Sequence, residues 1–365
     1  MGIIRIPANL ETDSAALGNH LVRHTPDRRA FLKASSALGL AGPALVGLGV
    51  RALAQDTATP SDGAYGTGHD MQHGTGDATP VPGTPSAFTP YDPVLTPIEP
   101  GPKAFTIVAK DETVFVSKDV AYAGWTFNGT IPGPVLRAFE GDEVTITVQN
   151  EGAITHSVDL HSAKTPTSNY KNLAPGEEFT WKFTATTAGA YMYHCGTAPV
   201  LMHIGAGMYG PMIVYPKAGW SPAQEFILVQ SEFYFEDLEA EVMVPSMAKM
   251  MLASGAMMDL VTFNGYANQY VEYPMSIKVG EPVRIFVVNC GPNVWSSFHV
   301  VGAIFDKAFV NANPFNELRG LQGISIGPGD GACVEFTVEQ PGEYIAVNHA
   351  FGHATHGAVA KFVAE

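Results

Sequence analysis

The sequence predicts an all-β protein built from two tandem β-sandwich domains, and three observations predict it. From Phe105 onward short β-rich runs alternate with turn signals, the spacing of a sandwich of short strands. The runs form two sets that repeat after roughly 140 to 155 residues, which reads as a duplicated domain. Charged residues make up only 15% of the 365, while 38 Gly and 27 Pro supply turns.

The elements follow in chain order. Residues 1–54 resemble a twin-arginine export signal: Arg28 and Arg29 precede Phe31-Leu32-Lys33, a small apolar run follows from Ala34 to Val50, and Ala52-Leu53-Ala54 offers a cleavage site. That predicts a periplasmic or otherwise extracytoplasmic location. Arg51 sits close to the cut, so a membrane attachment is expected only if the signal stays uncleaved. Residues 55–100, rich in Thr, Pro and Gly, read as a flexible linker. Its His69, Met71 and His73 could bind a metal only weakly, since no scaffold fixes them, and otherwise read as a solvated tail.

Residues 101–216 form the first predicted domain, with β-rich runs at 105–108, 114–116, 144–148, 179–183, 191–193 and 212–214. Residues 217–365 form the second, with runs at 226–229, 276–279, 283–288, 333–338, 344–347 and 358–363, the boundary falling near Lys217 to Ser221. Thr126-Phe127-Asn128-Gly129 recurs as Thr262-Phe263-Asn264-Gly265, and Gly141-Asp142 recurs as Gly280-Glu281. Gly189-Ala190-Tyr191 matches Gly342-Glu343-Tyr344. Where the first copy has His194-Cys195, the second is read as having Asn348-His349, with no cysteine.

Chemistry concentrates around His194-Cys195. With His156, His203 and Met208 the segment supplies two imidazoles, a thiolate and a thioether, the ligand set of a blue-copper electron-transfer site. His161 and His194 are left over. Successive strand side chains point to opposite faces. If His156 and Cys195 face one way, His161 and His194 face the other, and Asp159 falls on that second face. The pattern predicts a second metal site, back to back with the first and one peptide bond away, with too few ligands of its own. The second copy keeps His299 and His349. Six methionines between Met243 and Met258 read as core packing in a short helical stretch. Cys290 and Cys333 are open between a bridge and two buried free thiols.

The formal net charge is −15. Residues 1–54 carry six of the 20 basic and three of the 35 acidic residues, so 14 basic and 32 acidic remain, a net charge of −18. Such a surface repels nucleic acid and anionic lipid and favours a basic redox partner. An anionic substrate needs a local positive charge.

These residues resemble the copper-containing nitrite reductases over about 101–365. The resemblance rests on His156-x2-Asp159-x-His161, His194-Cys195-x7-His203-x4-Met208, Phe298-His299-Val300-Val301-Gly302 and Val347-Asn348-His349. It implies two cupredoxin-like Greek-key domains in a homotrimer, with one type 1 and one type 2 copper per chain. His156, Cys195, His203 and Met208 would hold type 1 copper, with an exposed His203 receiving the electron from a cytochrome c or cupredoxin. His161 and His194 would hold type 2 copper with His349 of the adjacent subunit. Asp159 and His299 would supply protons for reducing nitrite to nitric oxide. Two features depart from the family: the stretch after His349 is one residue shorter and carries His353 and His356, and the chain stops soon after its last strand, where relatives continue into a clasping tail. The alternatives are a two-domain multicopper oxidase, whose three-copper cluster needs His-x-His pairs that the eight histidines after residue 100 do not form, and a blue-copper electron carrier without catalysis.

Overall fold

A computed structural model describes residues 78–166, 170–252 and 258–365. The export signal, the first part of the linker with His69, Met71 and His73, and Met257 lie outside the described residues. Eight strands come first: β1 (Lys103–Ser117), β2 (Val120–Phe127), β3 (Leu136–Phe139), β4 (Glu143–Asn150), β5 (Asp159–Leu160), β6 (Glu178–Thr184), β7 (Gly189–His194) and β8 (Tyr209–Tyr215). A short helix α1 (Val200–Gly205) joins β7 to β8. Then come β9 (Gln224–Phe233), β10 (Val242–Met243), α2 (Met247–Met251), β11 (Leu260–Phe263), α3 (Gln269–Glu272), β12 (Met275–Ile277) and β13 (Pro282–Asn289). The chain closes with β14 (Ser296–Val301), β15 (Phe305–Val310), β16 (Glu317–Leu321), β17 (Gly323–Ile326), β18 (Gly331–Thr337), β19 (Gly342–Asn348), α4 (Phe351–Thr355) and β20 (Val359–Ala364).

Among the described residues four sheets make two sandwiches. The first pairs β10-β2-β1-β4-β6 with β3-β8-β7-β5, and the second pairs β11-β9-β13-β18-β15-β16 with β12-β20-β19-β14-β17. The duplication is visible in the pairing itself. Parallel β1/β4 and β3/β8 recur as parallel β9/β13 and β12/β20. Asn128 and Asn264 sit at φ 58° and 55°, each followed by a glycine at φ 79°. Each asparagine accepts from the strand paired with the one it ends, Val108 N of β1 at 3.0 Å and Val229 N of β9 at 2.6 Å.

β13 shows why its sequence is apolar without alternation. Val283, Ile285 and Val287 enter the core of the second sandwich, whereas Phe286 and Val288 enter a core shared with Tyr122, Met192, Tyr209 and Ile213 of the first. A strand buried on both faces has no polar side to show. Cys290 and Cys333 lie in that shared core as free buried thiols, so no bridge forms. Arg284, on the same face of β13, is 1% exposed. It bonds Glu225 at 2.6 Å on β9 and Glu335 at 2.6 Å on β18, and its guanidinium lies 5.1 Å from the Trp220 ring. The two carboxylates answer the desolvation of a buried cation.

The described end of the linker has a fixed course, because it carries apolar residues the body can bury. Phe88 stacks on Tyr266 with centroids 4.1 Å apart, Tyr91 N donates to Gln269 Oε1 at 2.8 Å, and Leu95 N donates to Glu225 O at 2.9 Å. The methionine stretch also turns back to the first sandwich. β10 pairs with β2, and Met250 of α2 is buried in the same apolar cluster as Cys195 and Met208.

Glu232 on β9 is 1% exposed and accepts backbone N–H bonds from Asn293 and Val294, which fixes the loop leading into β14. Burial pushes its carboxyl up to about 7, against the pull of those donors. A raised folded pKa means the folded state binds more protons than the unfolded one, so this contribution is whole below about pH 4.5 and is lost as pH rises through about 7. Glu232→Gln is therefore expected to lessen the fall in thermal midpoint between pH 5 and pH 8. Equal falls in both proteins would contradict the assignment.

Candidate metal centres

β5 and β7 position both clusters. Asp159 lies directly opposite His194 in the antiparallel pair, so their side chains share a face. Cys195, one residue on, turns into the apolar core with Met208. His156 precedes β5 and is held by reciprocal backbone bonds with Leu173 at 3.1 and 2.8 Å.

In the first cluster His203 Nδ1 is 3.1 Å from Cys195 Sγ, His156 Nδ1 is 4.0 Å from it, and the two Nδ1 atoms are 3.3 Å apart. Metal bonds of about 2.0–2.3 Å in tetrahedral array place donor atoms about 3.3–3.5 Å apart, so this spacing fits a shared ion. Met208 is fully buried, with its backbone clamped between the other two: Cys195 N donates to Met208 O at 3.1 Å and Met208 N donates to His203 O at 3.1 Å. Burial pushes His156 down to about 4 and His203 to about 3, the latter helped by His156. Both rings are thus neutral at neutral pH, the ligating form. Burial also raises the Cys195 thiol, opposed by hydrogen bonds from Ser157 and Thr197. Ser157 N lies 3.4 Å from Sγ, and Ser157 Oγ accepts from Gly196 N at 3.1 Å and lies 3.1 Å from Thr197 Oγ1. These two residues were not singled out from sequence, although Ser157 directly follows His156.

One expectation is corrected. His203 is 2% exposed, not an exposed imidazole. Trp125 lies against it with centroids 4.7 Å apart, and α2 packs over α1 through Met250 against Gly205.

The second cluster is Asp159, His161 and His194. His161 Nε2 and His194 Nε2 are 3.1 Å apart with rings crossed at 87°, and Asp159 Oδ2 is 3.9 Å from His194 Nε2. His194 Nδ1 donates to Cys195 O at 2.9 Å, which leaves Nε2 free as an electron-pair donor. Burial lowers the His194 pKa, the Cys195 carbonyl opposes this, and neighbouring His161 adds to it. Tyr170 faces Asp159, its phenol pushed up to about 12 by burial and then by the carboxylate.

His349 joins neither cluster within one chain. It is exposed on the second sandwich, 4.7 Å from the Phe351 ring and 5.5 Å from His299 by centroids. His299 Nδ1 donates to Gln322 O, so Nε2 is the nitrogen free to exchange a proton. The surrounding face is apolar: Trp295, Val301 and Phe351 are 63%, 48% and 45% exposed. The repeat matching also shifts by one residue. Asn348 N donates to Ala358 O as Cys195 N does to Met208 O, so Asn348 stands at the position of Cys195 and His349 at that of Gly196. The strand register decides the match, and an alignment on the histidines misses it. By the same register His299, opposite Val347, occupies the position that Asp159 holds opposite His194.

Two cupredoxin sandwiches, with a His-Cys-His cluster and a two-histidine cluster joined by one peptide bond, define a copper protein of the two-domain cupredoxin class. The sequence profile of the multicopper oxidase family matches residues 109–219. The chain is 38% identical over 264 residues, 70% of its length and 67% of the relative's, to a copper-containing nitrite reductase of Neisseria meningitidis serogroup B. Among solved structures it is similar to a copper nitrite reductase of Nitrosomonas europaea (34% identity, TM-score 0.66, 73% of this chain and 94% of that one). A copper-containing nitrite reductase of Thermus scotoductus is also similar (32%, TM-score 0.66, 72% and 62%). The chain belongs to the copper-containing nitrite reductase family.

Proposed function

We propose that the protein reduces nitrite to nitric oxide, taking up one electron and two protons and releasing water. The observation that carries this reading is the adjacency of the two clusters through His194-Cys195. His156, Cys195, His203 and Met208 hold type 1 copper. His161 and His194 hold type 2 copper with His349 of the neighbouring chain in a homotrimer. When bound, copper would supply a one-electron relay at the first site and Lewis acidity toward a bound anion at the second.

The residues around it do the rest. Asp159 stands on the His194 side, where it can bond an oxygen of a bound anion and deliver a proton to it. His299, with Nδ1 committed to Gln322, delivers the second proton from Nε2. An isolated chain offers two histidines at one face and a third on another, and the exposed Trp295, Val301 and Phe351 around His349 supply an apolar surface for a subunit contact. Because His203 is covered, a cytochrome c or cupredoxin donor reaches the first copper across α1 and α2, where Val200 and Met251 are exposed. Export by the twin-arginine-type signal would put the reaction in the periplasm or elsewhere outside the cytoplasm.

The multicopper oxidase profile gives a second reading some support, yet it requires a three-copper cluster. Copper analysis with electron paramagnetic resonance separates the readings. Two coppers per chain, one blue and one not, together with nitrite turnover, are expected. A single blue copper without turnover would leave an electron carrier, and four coppers with oxygen turnover an oxidase.

A further inference from the structure

The corner of the second sandwich that carries His349 is framed like the corner that holds His156, Cys195, His203 and Met208. Met208 N donates to His203 O at 3.1 Å, and Ala358 N donates to His353 O at 3.2 Å. Gly207 and Gly357, just before Met208 and Ala358, both turn at positive φ, 116° and 117°. Asn150 Nδ2 donates to Ile154 O and Leu173 O at 2.8 and 2.7 Å, and Asn289 Nδ2 donates to Val294 O and Ile326 O at 2.8 and 3.1 Å. Ser296 faces Ile326 as His156 faces Leu173. Hence Asn348 replaces Cys195, His353 replaces His203, Ala358 replaces Met208 and Ser296 replaces His156.

An amide fills the place of the thiolate. Asn348 Oδ1 accepts from Ser297 N at 3.0 Å, as Cys195 Sγ is approached by Ser157 N, and also from Ala350 N at 3.1 Å. Asn348 Nδ2 lies 2.8 Å from His353 Nδ1 and 3.0 Å from both Gln230 Oε1 and Trp295 O. Ser296 Oγ, in the vacated histidine position, is buried without a partner. One fully buried side chain therefore ties β9, β14, the loop before it and α4 together. His349, the next residue, is pinned by its own N–H to Ser297 O at 2.7 Å. Fixing this backbone in advance removes part of the ordering cost that an exposed ligand otherwise meets on binding.

We propose that Asn348 and His353 are the metal-free counterparts of Cys195 and His203, and that they act as positioning residues for His349, presenting its imidazole to the copper of the neighbouring chain. This rests on the reading of His349 as the third ligand. Outer partners of metal ligands are commonly worth about 10–100-fold in metal affinity. In the holoenzyme, Asn348→Ala is expected to weaken the non-blue copper about 10–100-fold and change its hyperfine signature, with the blue absorbance unchanged; His353→Phe is expected to act in the same direction, less strongly. A folded Asn348→Ala protein with wild-type affinity and hyperfine signature overturns the proposal. If Asn348→Ala does not fold, His353→Phe decides: weaker non-blue copper supports the proposal, and unchanged copper overturns it. His349→Ala separates the two failures. If it keeps the non-blue copper the ligand reading itself falls, whereas its loss there with retention in Asn348→Ala removes only the positioning role.

Discussion

Cys195→Ser is expected to abolish the blue absorption and to bring donor-driven nitrite turnover to background, while the non-blue copper remains. The reason is geometric. Cys195 Sγ is the atom on which His203 Nδ1 and Ser157 N converge, and a serine hydroxyl is a poor replacement for a thiolate at a soft copper site. If losing even an outer partner of a ligand costs about 10–100-fold in metal affinity, losing the ligand costs at least about 100-fold. The fold should survive, because the surrounding core of Trp125, Met202 and Met208 is otherwise unchanged. Optical spectra, copper analysis and turnover with an external donor check the three parts separately. Retained turnover without the blue site would mean that electrons reach the second cluster by another route.

His349→Ala is the second large effect, with the opposite pattern. Its side chain is exposed and in neither cluster of its own chain, so its removal should change stability by no more than about 0.5 kcal/mol. The blue site, in the other sandwich, should be untouched. The non-blue copper should nevertheless bind at least about 100-fold more weakly, and nitrite turnover should vanish. A substitution harmless to its own chain and fatal to the activity is the mark of a residue that works on a neighbour. His161→Ala should show the same loss from the other side of the shared site.

Much of this was legible in the sequence because it depends on strand parity and repetition. Side-chain alternation put Asp159 and His194 on one face, and the β5/β7 register does so too. The Asn-Gly turns at 128 and 264 marked the duplication. The two runs at 105–108 and 114–116 are one strand, β1, because Lys110, Asp111 and Glu112 hide its continuity from a hydrophobic pattern while β2 pairs along it. β5 has two residues and β3 four, too short to leave any pattern. The burial of His203 was illegible for a different reason: Trp125 on β2 lies against its ring, and α2, more than forty residues on, packs over the helix that carries it, both through long-range contacts that no local pattern shows. The one-residue shift between Cys195 and Asn348 was missed because His349 invites alignment on the histidine, although the Gly189 and Gly342 match already sets Asn348 opposite Cys195, as the backbone bonds of Ala358 and Met208 do in the fold.

The central claim is that the second copper is assembled from two chains. Mixed trimers of His349→Ala and His161→Ala subunits test it most directly, since each homotrimer lacks one ligand at every site, while a mixed trimer holds sites at which an intact His161-His194 pair meets an intact His349. Nitrite turnover and non-blue copper should reappear in the mixed trimers although both parents lack them. Mixed trimers, verified by mass, that stay as inactive and as copper-poor as their parents would contradict the account.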